Sequence, residues 1–274
     1  MSTLFYGLNI ARNALTAQTQ VLNVTAHNVA NANTPGYSRQ SVHLSAIEND
    51  SGMGMIGLQH LAIGSGVEAK QVTRIRFALY DEIYRKENQD FHDCIKMEEL
   101  LNQVEILFDE PSERGLSSIL DDFFNSWQDL ANEPQNMASR QSLKSIGNEL
   151  ADRLRRLNNQ LLIIRQDIDT EIAAIPSRIN EIAKEIADLN ASIRLAEIQG
   201  GSSNDLRDKR DRLIDELSEF TDVRAIEQKD GTYTVIIGSK VIVDRETSEE
   251  LRVVTTISED RNISKTLLRS RDGS

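Results

Sequence analysis

Cysteine, aromatic side chains, proline and long apolar runs are all scarce in this 274-residue chain, and each scarcity removes a class of protein. Cys94 is the single cysteine, so no internal disulfide can form, and the chain is either cytosolic or exported by a route that needs none. Aromatics make up 5%, less than a compact α/β enzyme uses to fill a globular core. With four prolines and 14 glycines, element interiors are rarely interrupted, which favours long helices packed through Leu, Ile and Ala. The start, Met1-Ser2-Thr3-Leu4-Phe5-Tyr6, has no basic segment followed by an apolar one, so no secretory signal peptide is expected. Apolar runs as short as Leu161-Leu162-Ile163-Ile164 offer no transmembrane helix. Acidic residues are absent from Met1 to Ile47, where only Arg12 and Arg39 are charged. That stretch is +2, so the net charge of −12 leaves −14 on the remainder. An acidic chain without a basic block is not a nucleic-acid binder.

Periodicity supplies the organisation. Leu8, Leu15, Leu22 and Val29 recur every seven residues, with Leu4, Ala11, Gln18 and Thr25 as the second row. This is the spacing of a coiled-coil seam, and it predicts a helix from Leu4 to Asn31. Its other faces carry Asn, Thr, Gln and Ala in place of Glu and Lys, so several of its sides should be covered. Pro35-Gly36 stops the helix in a type II turn. Ser41–Ala46 and Val67–Thr73 read as short strands around a Gly-rich stretch, Ser51–Gly66. A second long helix is expected from Arg74 to Phe108, with Phe91, Cys94, Met97, Leu101, Val104 and Phe108 on its apolar stripe and Asp109-Glu110-Pro111 as its break. A shorter amphipathic helix, Gly115–Leu130, follows. From Leu143 to Ile193 apolar residues step by three or four throughout, which would span roughly 80 Å if continuous. Pro176 should kink or divide that helix. After Gln199–Ser203, with Ser203 or Asn204 as N-cap, a returning helix runs from Asp205 to Phe220. The period then changes to two: Val223–Glu227, Thr232–Ile237, Lys240–Val243 and Leu251–Ile257 read as strands, with hairpin turns at Asp230-Gly231 and Gly238-Ser239. The fold class is therefore mainly α, a long antiparallel helical bundle or coiled coil with a small β-hairpin region and the start of a β domain. Four segments are expected: 1–36 an axial coiled-coil helix, 37–74 a β and loop linker, 75–220 a long-helix bundle, and 221–274 a β-rich region that ends unfinished.

No motif supplies chemistry. Gly52-Met53-Gly54-Met55-Ile56-Gly57 matches G-x-G-x-x-G, yet Gly64 and Gly66 interrupt the helix that a dinucleotide site requires. His27, His43, His60 and His92 lie on different elements without metal-ligand spacing. Cys94 reads as a small core residue, since His92 at i−2 points away from it. The run Asp205–Arg212 reads as a solvated, charge-laced helix face with Asp208 and Arg212 spaced to pair. No cofactor, metal, nucleic acid or membrane partner is expected, and no enzyme.

Asn28-Val29-Ala30-Asn31-Ala32-Asn33-Thr34-Pro35-Gly36-Tyr37 resembles the signature shared by flagellar rod, hook and hook-associated proteins. Ser38-Arg39-Gln40 resembles the hook-associated family that begins the junction of hook and filament. Gly115–Ser117 through Phe123-Phe124 to Leu130–Pro134, Arg140, Ile186–Asn190, and Asn204-Asp205-Leu206-Arg207-Asp208-Lys209-Arg210-Asp211 are similar to the helical domain of that family. The resemblance implies that Leu4–Asn31 pairs with a C-terminal helix to line the axial tube, and that residues 75–220 touch neighbouring subunits. It implies self-assembly, with hook protein below and the next hook-associated protein above. It further implies export, unfolded and without a cleaved signal, through the flagellar type III apparatus with a chaperone, from the cytoplasm to the flagellum outside the cell. No C-terminal heptad helix is seen, so residues 1 to about 35 are expected to be disordered in a monomer, and chaperone binding is in doubt. Two other readings stay open: another rod or hook protein, and a secreted coiled-coil effector or adhesin.

Overall fold

The computed structural model describes residues 2–47, 66–108, 115–201, 203–258 and 263–270. The chain order is α1 (Ser2–Ala30), β1 (Gln40–Ala46), β2 (Val67–Arg74), α2 (Ala78–Phe108), α3 (Leu116–Asn132), α4 (Met137–Ile198) and α5 (Asn204–Leu217). After these come β3 (Val223–Glu227), β4 (Tyr233–Ile237), β5 (Lys240–Asp244), β6 (Thr247–Ser248), β7 (Leu251–Ser258) and β8 (Ile263–Ser270). The mainly helical class with a small hairpin and further strands is thus what the chain forms. The Gly-rich stretch up to Ser65 with its G-x-G-x-x-G, His60 and the Asp109–Pro111 break lie outside the described residues.

Several boundaries differ from expectation for identifiable reasons. The strand β2 runs on to Arg74, whose register partner is Gln40, so α2 begins at Ala78 rather than at Arg74. The helix α4 passes through Pro176 undivided: one N–H is missing and Pro176 is buried, so packing around the ring tolerates what the isolated helix would not. Ser203 occupies the N-cap of α5 but makes no side-chain capping bond, because its hydroxyl reaches Glu197 Oε1 at 3.3 Å. The helix α5 ends at Leu217, short of Phe220, and β6 and β8 had no counterpart in the periodicity.

The chain divides into two compact units, the first made of residues 1–86 and 180–249, the second of 87–179 and 250–274. In the first, the stretch of α4 after Asn180 supplies Ile182, Ile186 and Ile193, α5 supplies Leu213, Ile214 and Leu217, and the sheet β3-β4-β5-β6 supplies Val223, Val235, Ile242 and Val243. All are buried, each contributing about 1.5–3 kcal/mol of apolar transfer energy. The hairpin β1–β2 is antiparallel with a bulge between His43 and Leu44, and α1 lies against both of its strands. In the second unit, Phe123 of α3 stands edge-on to Phe124 and Trp127 and rests against Gly147 of α4. The expected α2 stripe is open there: Phe91, Met97 and Leu101 are exposed, and Cys94 is an exposed thiol and not a core residue.

Candidate functional site

The helix α1 has two apolar faces. Ile10, Ala14, Ala17, Val21 and Val24 are buried or half-buried, and Gly66 beside β2 sits on Ile10 and Asn13. The seam faces elsewhere: Leu8, Leu15, Leu22 and Val29 are 65–73% exposed, and Ala11 is exposed with them. Leu4 lies in the helix, but its side chain is outside the described ones. With Arg12 as its one Lys or Arg and no carboxylate, the helix satisfies its hydroxyls inwardly: Thr16, Thr19 and Thr25 donate to the carbonyls of Arg12, Leu15 and Val21.

The signature residues fasten the C-terminal end of α1. Asn28 Oδ1 accepts from the Gln40 N–H at 2.9 Å and the Tyr37 hydroxyl at 2.8 Å, while its Nδ2 donates to the Gln40 carbonyl at 2.9 Å. One carboxamide thereby imitates a β-ladder partner for the first residue of β1. Asn31 Nδ2 donates to the His27 carbonyl, and the Thr34 hydroxyl donates to Asn31 Oδ1. The turn needs Gly36, at φ +77°, with carbons of Arg212 3.3 Å from where a Cβ would stand. Pro35, Gly36 and Tyr37 line a cavity of about 350 Å³ whose far wall is Asp205, Asp208 and Arg212 of α5. Asn33 and Arg39 are exposed, Arg39 contributing its carbonyl to the Ile75 N–H.

The charged run on α5 is not a solvated face. Asp208, Arg210 and Asp211 are buried. Asp208 does not pair with Arg212: its carboxylate accepts from the Ser38 N–H at 3.0 Å and from Arg74 Nη1 at 2.8 Å. The same Arg74 nitrogen donates to Asp211 at 2.7 Å. Arg76 lies 3.5 Å from Asp211 and 3.6 Å from Asp215 and binds Asp81 at 2.7 Å, while Arg85 Nε binds Asp215 at 2.8 Å. Three aspartates at i, i+3 and i+7 on one face of α5 thus meet three arginines. Alongside them Gln40 Nε2 donates to Asp205, and Asn204 Nδ2 reaches Gln40 Oε1 at 3.3 Å and the Val72 carbonyl at 3.1 Å. Leu206 is half-buried.

On another side of α5, Arg210 is fully buried. Nη1 donates to Asn190 Oδ1 at 2.9 Å and to the Gly231 carbonyl at 2.8 Å, and the guanidinium lies 3.7 Å over the Tyr233 ring. Such a stack is worth about 0.5–2 kcal/mol. Asn190 of α4 also donates to the Tyr233 and Arg245 carbonyls and accepts from the Tyr233 N–H, holding Arg245 at φ 55°. Burial lowers the Arg210 pKa against the favourable field of Tyr233 and Asp211. Burial would lower that of Arg76 too, but the bond to Asp81 and the surrounding carboxylates outweigh it and raise it. Burial raises Asp215 despite Arg85 and Arg76. The Tyr37 phenol is raised by burial and then by Asp205 and Asp208.

The structure brings together Asn28, Tyr37, Gln40, Asn204, Asp205 and Asp211, which lie far apart in the sequence, and leaves the seam by itself on the opposite side of α1. Sequence reasoning missed Arg74, Arg76, Arg85 and Tyr233, and reached Asn190 only as the last residue of a family motif, without a role. The available signal was the Asp208–Asp211–Asp215 stripe, which demands counter-charges if its helix is covered. Among the described residues no group of His, Cys, Asp and Glu could hold a metal ion, and no helix is long and apolar enough to cross a membrane.

Residues 101–273 match the family described as the flagellar hook-associated protein FlgK helical domain, and residues 8–37 match the flagella basal body rod protein family. Flagellar hook-associated protein 1 of Bacillus subtilis is 33% identical over 232 residues, covering 84% of this chain and 46% of that protein. Its namesake in Salmonella typhimurium is 30% identical over 251 residues, covering 90% and 44%. The solved structure of the flagellar hook junction protein FlgK from Burkholderia pseudomallei superimposes with a TM-score of 0.61 at 24% identity, over 69% of this chain and 33% of that one, which shows a shared fold. The chain spans less than half the length of the curated relatives it matches.

Proposed function

The chain belongs to the flagellar hook-associated protein FlgK family and is a structural component of the bacterial flagellum, and we propose that it forms the junction between hook and filament by assembling into a ring of identical subunits. The observation that carries this reading is the exposed, acid-free leucine seam of α1, on a helix whose other face is fastened to the rest of its unit. A row of four large apolar side chains left open to water is unfavourable unless a partner covers it. In this reading Leu4, Leu8, Ala11, Leu15, Leu22 and Val29 form the self-assembly surface along the axis, against a second helix of the axial structure. Asn28 to Gln40 and the Asn204–Asp211 motif hold that surface in place.

In this reading residues 1–36 are the axial arm, 37–74 its link, 75–220 the helical region facing neighbouring subunits, and 221–274 the start of an exposed β domain. The arm gains most of its stability from the helix that covers its seam and exchanges its amides quickly in an isolated monomer. Hook protein binds below the ring and the next hook-associated protein above. Export proceeds unfolded through the flagellar type III apparatus with chaperone help, and the product stands outside the cell. A single cysteine suits that route, since no disulfide has to form before or after passage. The mechanism is geometric: helical surfaces that tolerate small shifts match a bent hook to a stiffer filament. The match of residues 101–273 to a hook-associated helical domain favours this over a rod or hook subunit, and over an effector or adhesin.

Electron microscopy of a strain lacking the gene, with flagellin assayed in the medium, tests the proposal. Hooks without filaments and shed flagellin are expected. Missing hooks would move the protein to the rod or hook, and normal flagella would end the junction reading.

A further inference from the structure

The arm made of α1 and the hairpin is attached to α5 by polar groups. Among the described residues, Ala17 is the one buried apolar residue ahead of Leu157, and it sits in the middle of α1. The buried residues where the arm meets α5 are Ser38 and Gln40 on one side and Asn204, Asp208 and Asp211 on the other. Their bonds are directional: Asp208 takes the Ser38 N–H and Arg74 together, so one carboxylate holds the residue two before β1 and the last residue of β2 at the foot of the hairpin. Asn204 likewise spans Gln40 of β1 and the Val72 carbonyl of β2. Asn28 carries the same chain of bonds into α1 through Gln40.

Buried ion pairs add little net stability, because desolvation consumes most of their attraction, but they are strict about geometry. Asp211 Oδ1 even lacks a hydrogen-bond partner, so the cluster is not arranged for maximal stability. We propose that Asp208 and Asp211, with Asn204 and Gln40, are positioning residues that set the angle at which the arm leaves α5. That angle is then fixed by hydrogen-bond geometry and not by core packing, and it can be changed without disturbing the apolar core of α4, α5 and the β3–β6 sheet. The inference rests on the assembly role proposed for α1, but its test does not use assembly.

The test is a spin-label distance between Lys70→Cys on β2 and Arg224→Cys on β3, both exposed positions, in a Cys94→Ser background. The parent should give a narrow distance distribution. Asp208→Asn with Asp211→Asn should broaden or displace that distribution while the thermal midpoint of the core stays close to the parent value. Val235→Ala, which opens a hole in the core, should do the reverse. Asp208→Glu should restore much of the narrow distribution. If the double variant does not fold, Gln40→Ala removes bonds at the same joint while keeping every charge, and should also broaden the distance. An unchanged distribution, or one that broadens only in step with the core midpoint and equally in Val235→Ala, overturns the proposal. A strain test of the junction role can fail while this distance result holds, and the reverse, so the two claims are separable.

Discussion

The helices α1 and α5 lie in the same unit and dispose of their side chains in opposite ways. The first turns a row of leucines to solvent and holds its place through a carboxamide, Asn28, and a small apolar inner face. The second, with seven charged residues among its first nine, buries Asp208, Arg210 and Asp211 and is the most enclosed helix of the unit. Charge on a helix therefore does not mark the wet side here, nor leucine the dry side. Both helices follow one rule: a side chain is covered when a specific partner exists for it. Three arginines and an asparagine are available to α5 within the unit, whereas the α1 seam stays exposed and, in the function proposed above, takes its partner from another helix of the axial structure.

Breaking the contrast at α1 should give the largest effect. Leu15→Glu with Leu22→Glu places two charges in the seam and should abolish incorporation into flagella, scored as loss of swimming and of filaments in a complemented deletion strain. The isolated chain should keep its thermal midpoint, because those side chains are already in water. At α5 the effect should be one of attachment. Arg74→Ala leaves Asp208 and Asp211 short of a counter-charge, a loss of about 3–5 kcal/mol for a buried pair. It should appear as faster amide exchange across β1, β2 and the end of α1. Asn190→Ala sharpens the comparison from the core side. It orphans the Arg245 and Tyr233 groups at about 1–3 kcal/mol for each left buried, and should lower the thermal midpoint by several degrees. Gly36→Ala is milder: the left-handed backbone and the Arg212 contact should cost about 1 kcal/mol, read from urea midpoints.

The smallest effect is one of pH. Burial raises the Asp215 pKa above its ordinary 3.8, so the folded chain holds this proton to higher pH than the unfolded one. Its contribution to stability is therefore greatest below 3.8 and fades as pH rises through the raised value. Urea midpoints of the parent relative to Asp215→Asn should improve as pH falls from neutral toward that value. A parent that loses ground to the variant on acidification would show that the Arg85 pair, not burial, dominates.

How much of this was legible beforehand follows from the same contrast. Period-seven leucines and Pro35-Gly36 gave α1 and its end, because local pattern decides both. The change of period at Thr221 located the sheet for the same reason. The charge run of α5 was misread, because whether a charged face is wet depends on Arg74, Arg76 and Arg85, more than a hundred residues away. Cys94 and the α2 stripe were placed inside for the opposite error: an apolar stripe shows that a helix can be covered, not that this chain covers it. Pro176 was expected to kink or divide α4; the helix is not divided, and what lets it continue is not written in the local sequence.

The most direct measurement is amide hydrogen exchange along the isolated chain, read peptide by peptide. The account predicts strong protection for residues 204–217, where the charges are buried, and rapid exchange for residues 8–25, where the leucines are exposed. Rapid exchange in α5 together with strong protection of α1 in a verified monomer would contradict it.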